Sequence, residues 1–263
     1  MIDTKVYTAS VECLKDPELY QRALERIPAN RRESADRMKP ESGKRLAAGA
    51  GLLLVAAFAE WLRENLPCAV DSGRKTETQN AETQNAEKRM LSQDILDLQQ
   101  LRFAQGEYGK PYLPDFPEIH FNLSHSGSRV MCIVSTVEVG CDVEQIEPKR
   151  VGSVIRCLAE SEQCLVKDSA QTFFRIWTLK ESFMKLTGKG FQIPFKSFEV
   201  SLDPLSVKQD YIAEPVRLKE YAAFRNGDEA ERYCCSCAVA GSEVELPDEM
   251  IEVDLAGVLA RLA

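Results

Sequence analysis

The stretch GCDVEQ, Gly140–Gln145, alternates apolar and acidic residues after a glycine, a pattern that predicts a β-strand. Residues two apart in a strand point to the same face, roughly 7 Å apart at about 3.3 Å per residue. Asp142 and Glu144 are therefore expected to share one face, while Cys141 and Val143 point the other way, into a core. This stretch predicts a boundary between a core and a cluster of carboxylates.

The two acids allow two interpretations. Carboxylates held close together repel each other unless a cation lies between them. Mg²⁺ prefers oxygen ligands, commonly one or two carboxylates completed by waters and substrate phosphates. The alternative is a solvated strand face with two unrelated acids, and the pair alone does not decide between them.

A second charged segment, WTLKESFMKLTGKG, covers Trp177–Gly190 and predicts a helix that ends in a flexible, basic turn. Glu181 and Lys185 are four residues apart on one helical face, with Lys180 beside them, and an exposed ion pair would explain that spacing. The surrounding residues are too apolar for an exposed helix: Phe173, Phe174, Ile176, Trp177, Phe183 and Met184. We therefore expect the charges to face an internal ligand.

A third segment, FNLSHSG, offers exposed amides, two serine hydroxyls and His125 in a tight turn between two predicted strands. Groups of this kind are suited to binding phosphate. A histidine with a purely structural role is the alternative.

Composition narrows the class of protein. The chain has 263 residues, 44% hydrophobic and 28% charged, which is typical of a folded globular protein. Its net charge of -8 argues against a general nucleic-acid or membrane-surface binder, because such surfaces are basic. The apolar run Leu46–Ala59 is shorter than the roughly 18–20 residues of a membrane span, and predicts a buried core helix.

The cysteines and the N-terminus bear on location. The sequence does not start with a basic segment followed by an apolar run, so no secretory signal is expected. The nine cysteines are an odd number without a disulfide-framework spacing, and we expect reduced thiols in the cytoplasm. The CCSC run, Cys234–Cys237, is expected to pack in a strand instead of binding a metal.

The order of predicted elements favours an α+β fold. The first strand lies near the N-terminus, and a long helix is expected over about Ser42–Leu66. Later strands flank the acidic stretch, follow it near FEVSLD and recur at the CCSC run. The polar segment Pro67–Met90 contains the tandem repeat ETQNAETQNA and predicts an exposed insertion.

The chain resembles the Sfp-type 4′-phosphopantetheinyl transferases through four segments in the family's order. They are IPANRRESADRMKPESGKRLAAG, GKPYLPDFPEIHFNLSHSG, GCDVE and WTLKESFMKLTGKG. The resemblance covers most of the chain apart from the insertion and the C-terminal tail. It implies transfer of the phosphopantetheine arm of coenzyme A to a serine of an apo acyl or peptidyl carrier protein.

The resemblance also implies roles for individual residues. Asp142, Glu144 and Glu181 match the family's Mg²⁺ ligands, with Glu181 as general base and Lys185 as the group that stabilises or protonates the leaving 3′,5′-ADP. Contacts to the phosphates of coenzyme A are implied for Lys180, Lys185, Ser124 and His125, the last toward the 3′-phosphate, and contacts around its nucleotide end for Lys110 and Arg45. Where the family often has lysines, this chain has Asn30 and Glu33, and Arg31 or Arg32 is the candidate substitute.

The family's fold implies a pseudo-two-fold pair of α/β subdomains in one monomeric chain. We place the first at residues 1–138, including an insertion at 67–90, and the second, with the metal site, at residues 139–263. Two other functions use similar residues. A non-catalytic coenzyme A- or nucleotide-binding regulator would need the phosphate-binding groups but not all three acids, and a magnesium-dependent phosphohydrolase would use water as nucleophile.

Overall fold

The computed structural model of the protein describes residues 4–65, 101–167, 169–221 and 233–261. The predicted insertion at 67–90 lies outside the described residues. The helices are α1 (Pro17–Arg26), α2 (Ala29–Arg37), α3 (Glu41–Asn65), α4 (Pro148–Val154), α5 (Glu160–Val166), α6 (Ala170–Thr187) and α7 (Leu255–Arg261).

The strands form two main sheets. Their bounds are β1 (Thr4–Ser10), β2 (Ala104–Gln105), β3 (Pro111–Tyr112), β4 (His120–Ser126), β5 (Arg129–Ser135), β6 (Val139–Gln145), β7 (Glu199–Leu202), β8 (Leu205–Lys208), β9 (Val216–Tyr221), β10 (Tyr233–Ala240) and β11 (Ile251–Glu252). The first sheet has the order β11-β1-β5-β4 and the second β6-β10-β9. Two hairpins, β2–β3 and β7–β8, lie outside these sheets.

Helix α3 forms the core of the first half. Its apolar residues, from Leu52 to Phe58, pack with residues of β1, β4 and β5 in one buried cluster. Among the described residues, Glu41–Glu64 is the one helix long and apolar enough to cross a membrane, but 72% of its most apolar window is buried inside the protein. The prediction of a buried core helix is therefore confirmed, and the helix begins one residue before the predicted Ser42.

Helix α6 packs across the second sheet and carries the second charged segment. The Ser169 hydroxyl accepts a hydrogen bond from the Thr172 amide at 3.1 Å and caps its first turn. Gly188, with a φ of 66°, ends the helix as the sequence predicts. The helix lies so close to β6 that a Cβ on Gly140 would come within 2.0 Å of the Ser182 carbonyl oxygen.

Gly140→Ala should destabilise the protein, because that Cβ would also lie 2.4 Å from the Leu186 amide nitrogen. Backbone atoms on both sides must move, and overpacking of this kind typically costs about 1–3 kcal/mol. Gly152→Ala in α4 is the matched control, since nothing lies within 4 Å of its added Cβ. Urea unfolding of both variants measures the difference, and equal unfolding free energies would contradict the close packing of β6 on α6.

The α+β fold is confirmed, whereas the pseudo-two-fold relation and the division at residues 138/139 stay predictions. The chain end does not remain with the second sheet. Strand β11 pairs parallel with β1, and α7 contributes Leu255 and Leu259 to the core around α3. The CCSC run lies in β10 with Cys234, Cys235 and Cys237 buried, as expected for strand packing.

Candidate active site

The candidate site lies where the edge strands β4 and β6 of the two sheets meet. Side chains of β4 take the place of a neighbouring backbone. The Asn122 Oδ1, Ser124 Oγ and Ser126 Oγ atoms accept hydrogen bonds from the amides of Cys141, Val143 and Gln145 at 3.1, 3.3 and 3.1 Å. Each acceptor precedes its donor by 19 residues, so the two strands advance in register. This ladder of polar side chains satisfies amides that an edge strand would leave unpaired.

Asp142 is held by two groups at the centre of this junction. The Ser124 hydroxyl donates to its Oδ1 at 2.7 Å, and the Lys185 ammonium donates to the same oxygen at 2.6 Å. Lys185 also donates to Ser124 Oγ at 3.0 Å and to the Cys141 carbonyl at 3.1 Å. Burial alone would lower the pKa of Lys185, but the Asp142 charge raises it, so the ammonium stays protonated.

Glu144 repeats this arrangement two residues later. The Ser126 hydroxyl donates to its Oε2 at 2.8 Å, and the Arg150 guanidinium, from α4, donates to the same oxygen at 3.1 Å. Burial and the charge of Asp142 raise the pKa of Glu144 above its usual value. The shared face predicted for Asp142 and Glu144 is thus consistent with their contacts to Ser124 and Ser126.

Glu181 lies opposite these acids on α6. Burial, followed by the charges of Asp142 and Glu144, raises the pKa of Glu181 to about 7, and Lys185 offsets only part of that effect. The structure therefore brings the three predicted metal ligands close enough to act on one another. Negative charge at this cluster is only partly compensated.

A cavity of about 270 Å³ adjoins Glu181 and Lys185. The β2–β3 hairpin and the glycine turn after α6 complete its wall, with Tyr108, Lys110, Leu123, Met184 and Gly188 among its lining residues. A mostly apolar cavity with a few charged groups at one end is typical of a small-molecule site.

The carboxylates of Asp142, Glu144 and Glu181 are candidate ligands for a divalent cation. No group of three or more His, Cys, Asp or Glu side chains in the described parts of the chain is arranged to hold a metal ion. In this arrangement Lys185 and Arg150 neutralise one oxygen each of Asp142 and Glu144. However, the buried Oδ2 of Asp142 has no hydrogen-bond partner among the described residues. Carboxylate oxygens, an unpartnered buried oxygen and the raised pKa values of Glu144 and Glu181 fit Mg²⁺ in chemistry, and the site stays a prediction.

Lys180 is not brought to this cluster, contrary to the expected phosphate contact. Its side chain is fully buried, and its Nζ donates to both Glu162 oxygens at 2.8 Å and to the Phe198 carbonyl at 2.6 Å. The ammonium also lies 4.1 Å from the centre of the Phe198 ring. All its donors are used inside the protein, so its position indicates a structural role.

The two basic residues expected at the nucleotide end differ in position. Lys110 lines the cavity, but its Nζ donates to Glu138 at 2.5 Å and to the carbonyls of Val139 and Leu186 at 2.9 and 3.0 Å. Arg45 is half-buried near the start of α3, where its charge acts on Tyr20 and Glu41. The structure therefore places Lys110 at the cavity and Arg45 beside α1.

His125 is exposed at the end of β4. Desolvation by neighbouring atoms, followed by the charge of Lys185, lowers its pKa, and the charge of Arg31 lowers it further. Arg31 is thus the N-terminal basic residue that acts on His125. Its buried Nε has no hydrogen-bond partner among the described residues.

The hydrogen bonds of Ser124 differ from those expected of a phosphate-binding residue. A hydroxyl has one proton to donate and two lone pairs. The proton goes to Asp142, and the lone pairs accept from Lys185 and the Val143 amide. In this arrangement Ser124 holds a carboxylate and has no proton left for a phosphate.

The binding of Ser126 and Arg150 to Glu144 was not predicted from the sequence. The signal for Ser126 was present, because SHS repeats the two-residue spacing of the acids in DVE. No comparable spacing indicates the contact of Arg150, which follows Glu144 by six residues in the sequence. Cys141 is buried with its pKa raised to about 12 by burial, which agrees with its expected position in a core.

The part of the chain that contains this site is similar to a known protein family. Residues 138–238 match the 4′-phosphopantetheinyl transferase superfamily. The matched segment contains β6, α6 and most of β10, and so all three acids and Lys185. The predicted resemblance to the Sfp-type enzymes is confirmed.

Several individual relatives are similar to part of the chain. The chain is 40% identical over 112 residues to 4′-phosphopantetheinyl transferase Sfp of Bacillus subtilis (strain 168), covering 41% of this chain and 50% of that protein. It is 35% identical over 153 residues to 4′-phosphopantetheinyl transferase gsp of Aneurinibacillus migulanus, covering 56% and 61%. For 4′-phosphopantetheinyl transferase AcpT of Escherichia coli (strain K12) the identity is 35% over 110 residues, covering 38% and 55%. The chain thus spans about half to three fifths of the length of these relatives.

Proposed function

We propose that the protein transfers the 4′-phosphopantetheine arm of coenzyme A to a serine of an apo acyl or peptidyl carrier protein, with Mg²⁺, and releases 3′,5′-ADP. The observation that carries this proposal is the gathering of Asp142, Glu144 and Glu181 beside Lys185 at one end of a cavity. These residues lie within the segment that matches the transferase superfamily. The type of reaction is inferred from the names of the relatives, which are 4′-phosphopantetheinyl transferases.

In the proposed site, one group of residues binds coenzyme A and a second group stabilises the charge of the reaction. The cavity between the β2–β3 hairpin and α6 would take part of coenzyme A, and His125 with Arg31 would lie toward its 3′-phosphate. Asp142, Glu144 and Glu181 would hold Mg²⁺, which when bound supplies positive charge to the pyrophosphate and its leaving group. Lys185 adds a fixed positive charge beside them.

The proposed step is an in-line attack by the carrier serine hydroxyl on the β-phosphorus of coenzyme A. A bond forms between the serine oxygen and that phosphorus, and the bond from the phosphorus to the bridging oxygen breaks. The serine proton goes to Glu181, directly or through a water, and 3′,5′-ADP leaves with its charge stabilised by Lys185. Orientation and charge stabilisation account for the rate, without a covalent enzyme intermediate.

We also propose that the protein is a monomer and is located in the cytoplasm. The eight cysteines of the described residues are free thiols, in keeping with a reducing compartment. Carrier proteins commonly present an acidic helix and this chain is itself acidic, so docking would rely on apolar contacts and a local basic patch.

Release of 3′,5′-ADP from coenzyme A tests this reaction against hydrolysis. The protein is incubated with coenzyme A and Mg²⁺ alone, with an apo carrier, and with the same carrier whose acceptor serine is changed to alanine. We expect release only with the unsubstituted carrier, in a one-to-one ratio with modified carrier. Equal release in all three mixtures would instead identify a phosphohydrolase, and coenzyme A binding without release a regulator.

A further inference from the structure

We propose that Ser126 is a positioning residue, whose hydroxyl fixes the orientation of the Glu144 carboxylate for a divalent cation. This inference rests on the metal site of the proposed function. It assigns a role in metal binding to the last residue of β4, whose hydroxyl was expected to bind phosphate.

The direction of each hydrogen bond fixes what the hydroxyl can do. The Gln145 amide can only donate, so Ser126 Oγ accepts that bond at 3.1 Å. The remaining proton points to Glu144 Oε2 at 2.8 Å. Ser126 therefore connects the backbone amide of Gln145 to the carboxylate of Glu144. These two hydrogen bonds hold the Glu144 side chain against its own strand, β6.

The same construction occurs one step earlier in the ladder. Ser124 accepts from the Val143 amide and donates to Asp142 at 2.7 Å, so both serines join a carboxylate to the following amide. The repeat of spacing and bond direction at two successive positions argues that the ladder orients the two acids as a pair. Neither serine has a proton left to donate to a phosphate.

Arg150 cannot perform this orienting role equally well. Its side chain is 47% exposed and long, whereas Glu144 is 16% exposed. The guanidinium adds a positive charge that competes with a metal ion for Oε2. Neutral hydroxyl donation holds a carboxylate without that competition, and partners of this kind typically change metal affinity about 10–100-fold when removed.

The test measures Mn²⁺ binding to the whole protein without coenzyme A, by the electron paramagnetic resonance signal of free Mn²⁺. Ser126→Ala should raise the Mn²⁺ dissociation constant about 10–100-fold. Ser126→Thr keeps the hydroxyl and should restore most of the affinity. Arg150→Gln should leave the dissociation constant unchanged or lower it, and Ser206→Ala, an exposed serine of the β7–β8 hairpin, is the control.

Urea unfolding of the same variants separates positioning from a merely structural role. A folded Ser126→Ala protein that binds Mn²⁺ like the unsubstituted protein would overturn the inference, even if its stability were lower. Failure of the unsubstituted protein to bind Mn²⁺ would instead overturn the metal site of the proposed function, and with it this assignment.

Discussion

Glu181→Gln should abolish carrier modification while making the metal-free protein more stable above pH 7. The amide keeps the shape of the side chain but removes a metal ligand and the proposed proton acceptor. Loss of general-base catalysis alone typically costs about 10²–10⁴-fold in rate. The gain in stability follows from the buried, like-charged surroundings of Glu181.

The pH dependence of that gain has a definite sign. The pKa of Glu181 is raised from 4.5 in the unfolded chain to about 7 in the folded protein. The folded state thus binds the proton more tightly than the unfolded state does. The stability that protonation of this residue contributes is fully present below pH 4.5 and is lost as the pH rises through 7. Above pH 7 the ionised carboxylate destabilises the fold by about 1–3 kcal/mol, at about 1.4 kcal/mol for each pKa unit and less where water reaches it.

Urea unfolding in a chelator at pH 4.5 and at pH 8 measures this effect. We expect Glu181→Gln to differ from the unsubstituted protein at pH 8 and to approach it at pH 4.5. Glu118→Gln changes an exposed carboxylate and should alter neither stability nor transfer. A Glu181→Gln protein with full transfer activity would rule out the role of this residue in the site.

Lys180→Met should destabilise the protein by about 3–5 kcal/mol, the usual cost of leaving one member of a buried ion pair alone. Glu162 joins three elements: its oxygens accept from Lys180 on α6, from the Ala159 amide at 2.9 Å and from the Val200 amide at 2.8 Å. Methionine fills the space of the lysine stem, so the loss comes from the charge and not from a cavity. Free energies of unfolding of about 5–15 kcal/mol are typical of folded proteins, so this loss would be a large part of the total stability.

Lys15→Met is the matched control, because Lys15 pairs with Glu12 on the surface, with both side chains at least half exposed. It should change the unfolding free energy by less than about 1 kcal/mol. The phosphate contact first expected for Lys180 makes a different prediction: a higher KM for coenzyme A with unchanged stability. That result would contradict the structural role of Lys180.

The sequence predicted those parts of the fold and the site that depend on local spacing. Alternation in Gly140–Gln145 predicted β6, and the four-residue spacing of Glu181 and Lys185 predicted that they share one face of a helix. Gly188 marked the end of α6. These features follow from periods of two and 3.6 residues, which can be read along the chain.

Features that depend on tertiary pairing were not predicted. Lys180 follows the same charged pattern as Glu181, but successive helical residues point about 100° apart, and one faces the core around Glu162 while the other faces the acids. The return of β11 to β1 joins residues about 240 positions apart, and no local pattern indicates such a pairing. The binding of Ser126 to Glu144 likewise depends on how two sheet edges meet.

Modification of a carrier protein by this cluster can be measured as a change in the intact mass of an apo carrier. The carrier is incubated with the protein, coenzyme A and Mg²⁺, beside samples with a chelator. We expect a gain of one phosphopantetheine that is lost when the metal is removed. An unchanged mass across several apo carriers, with coenzyme A still bound to the folded protein, would contradict it.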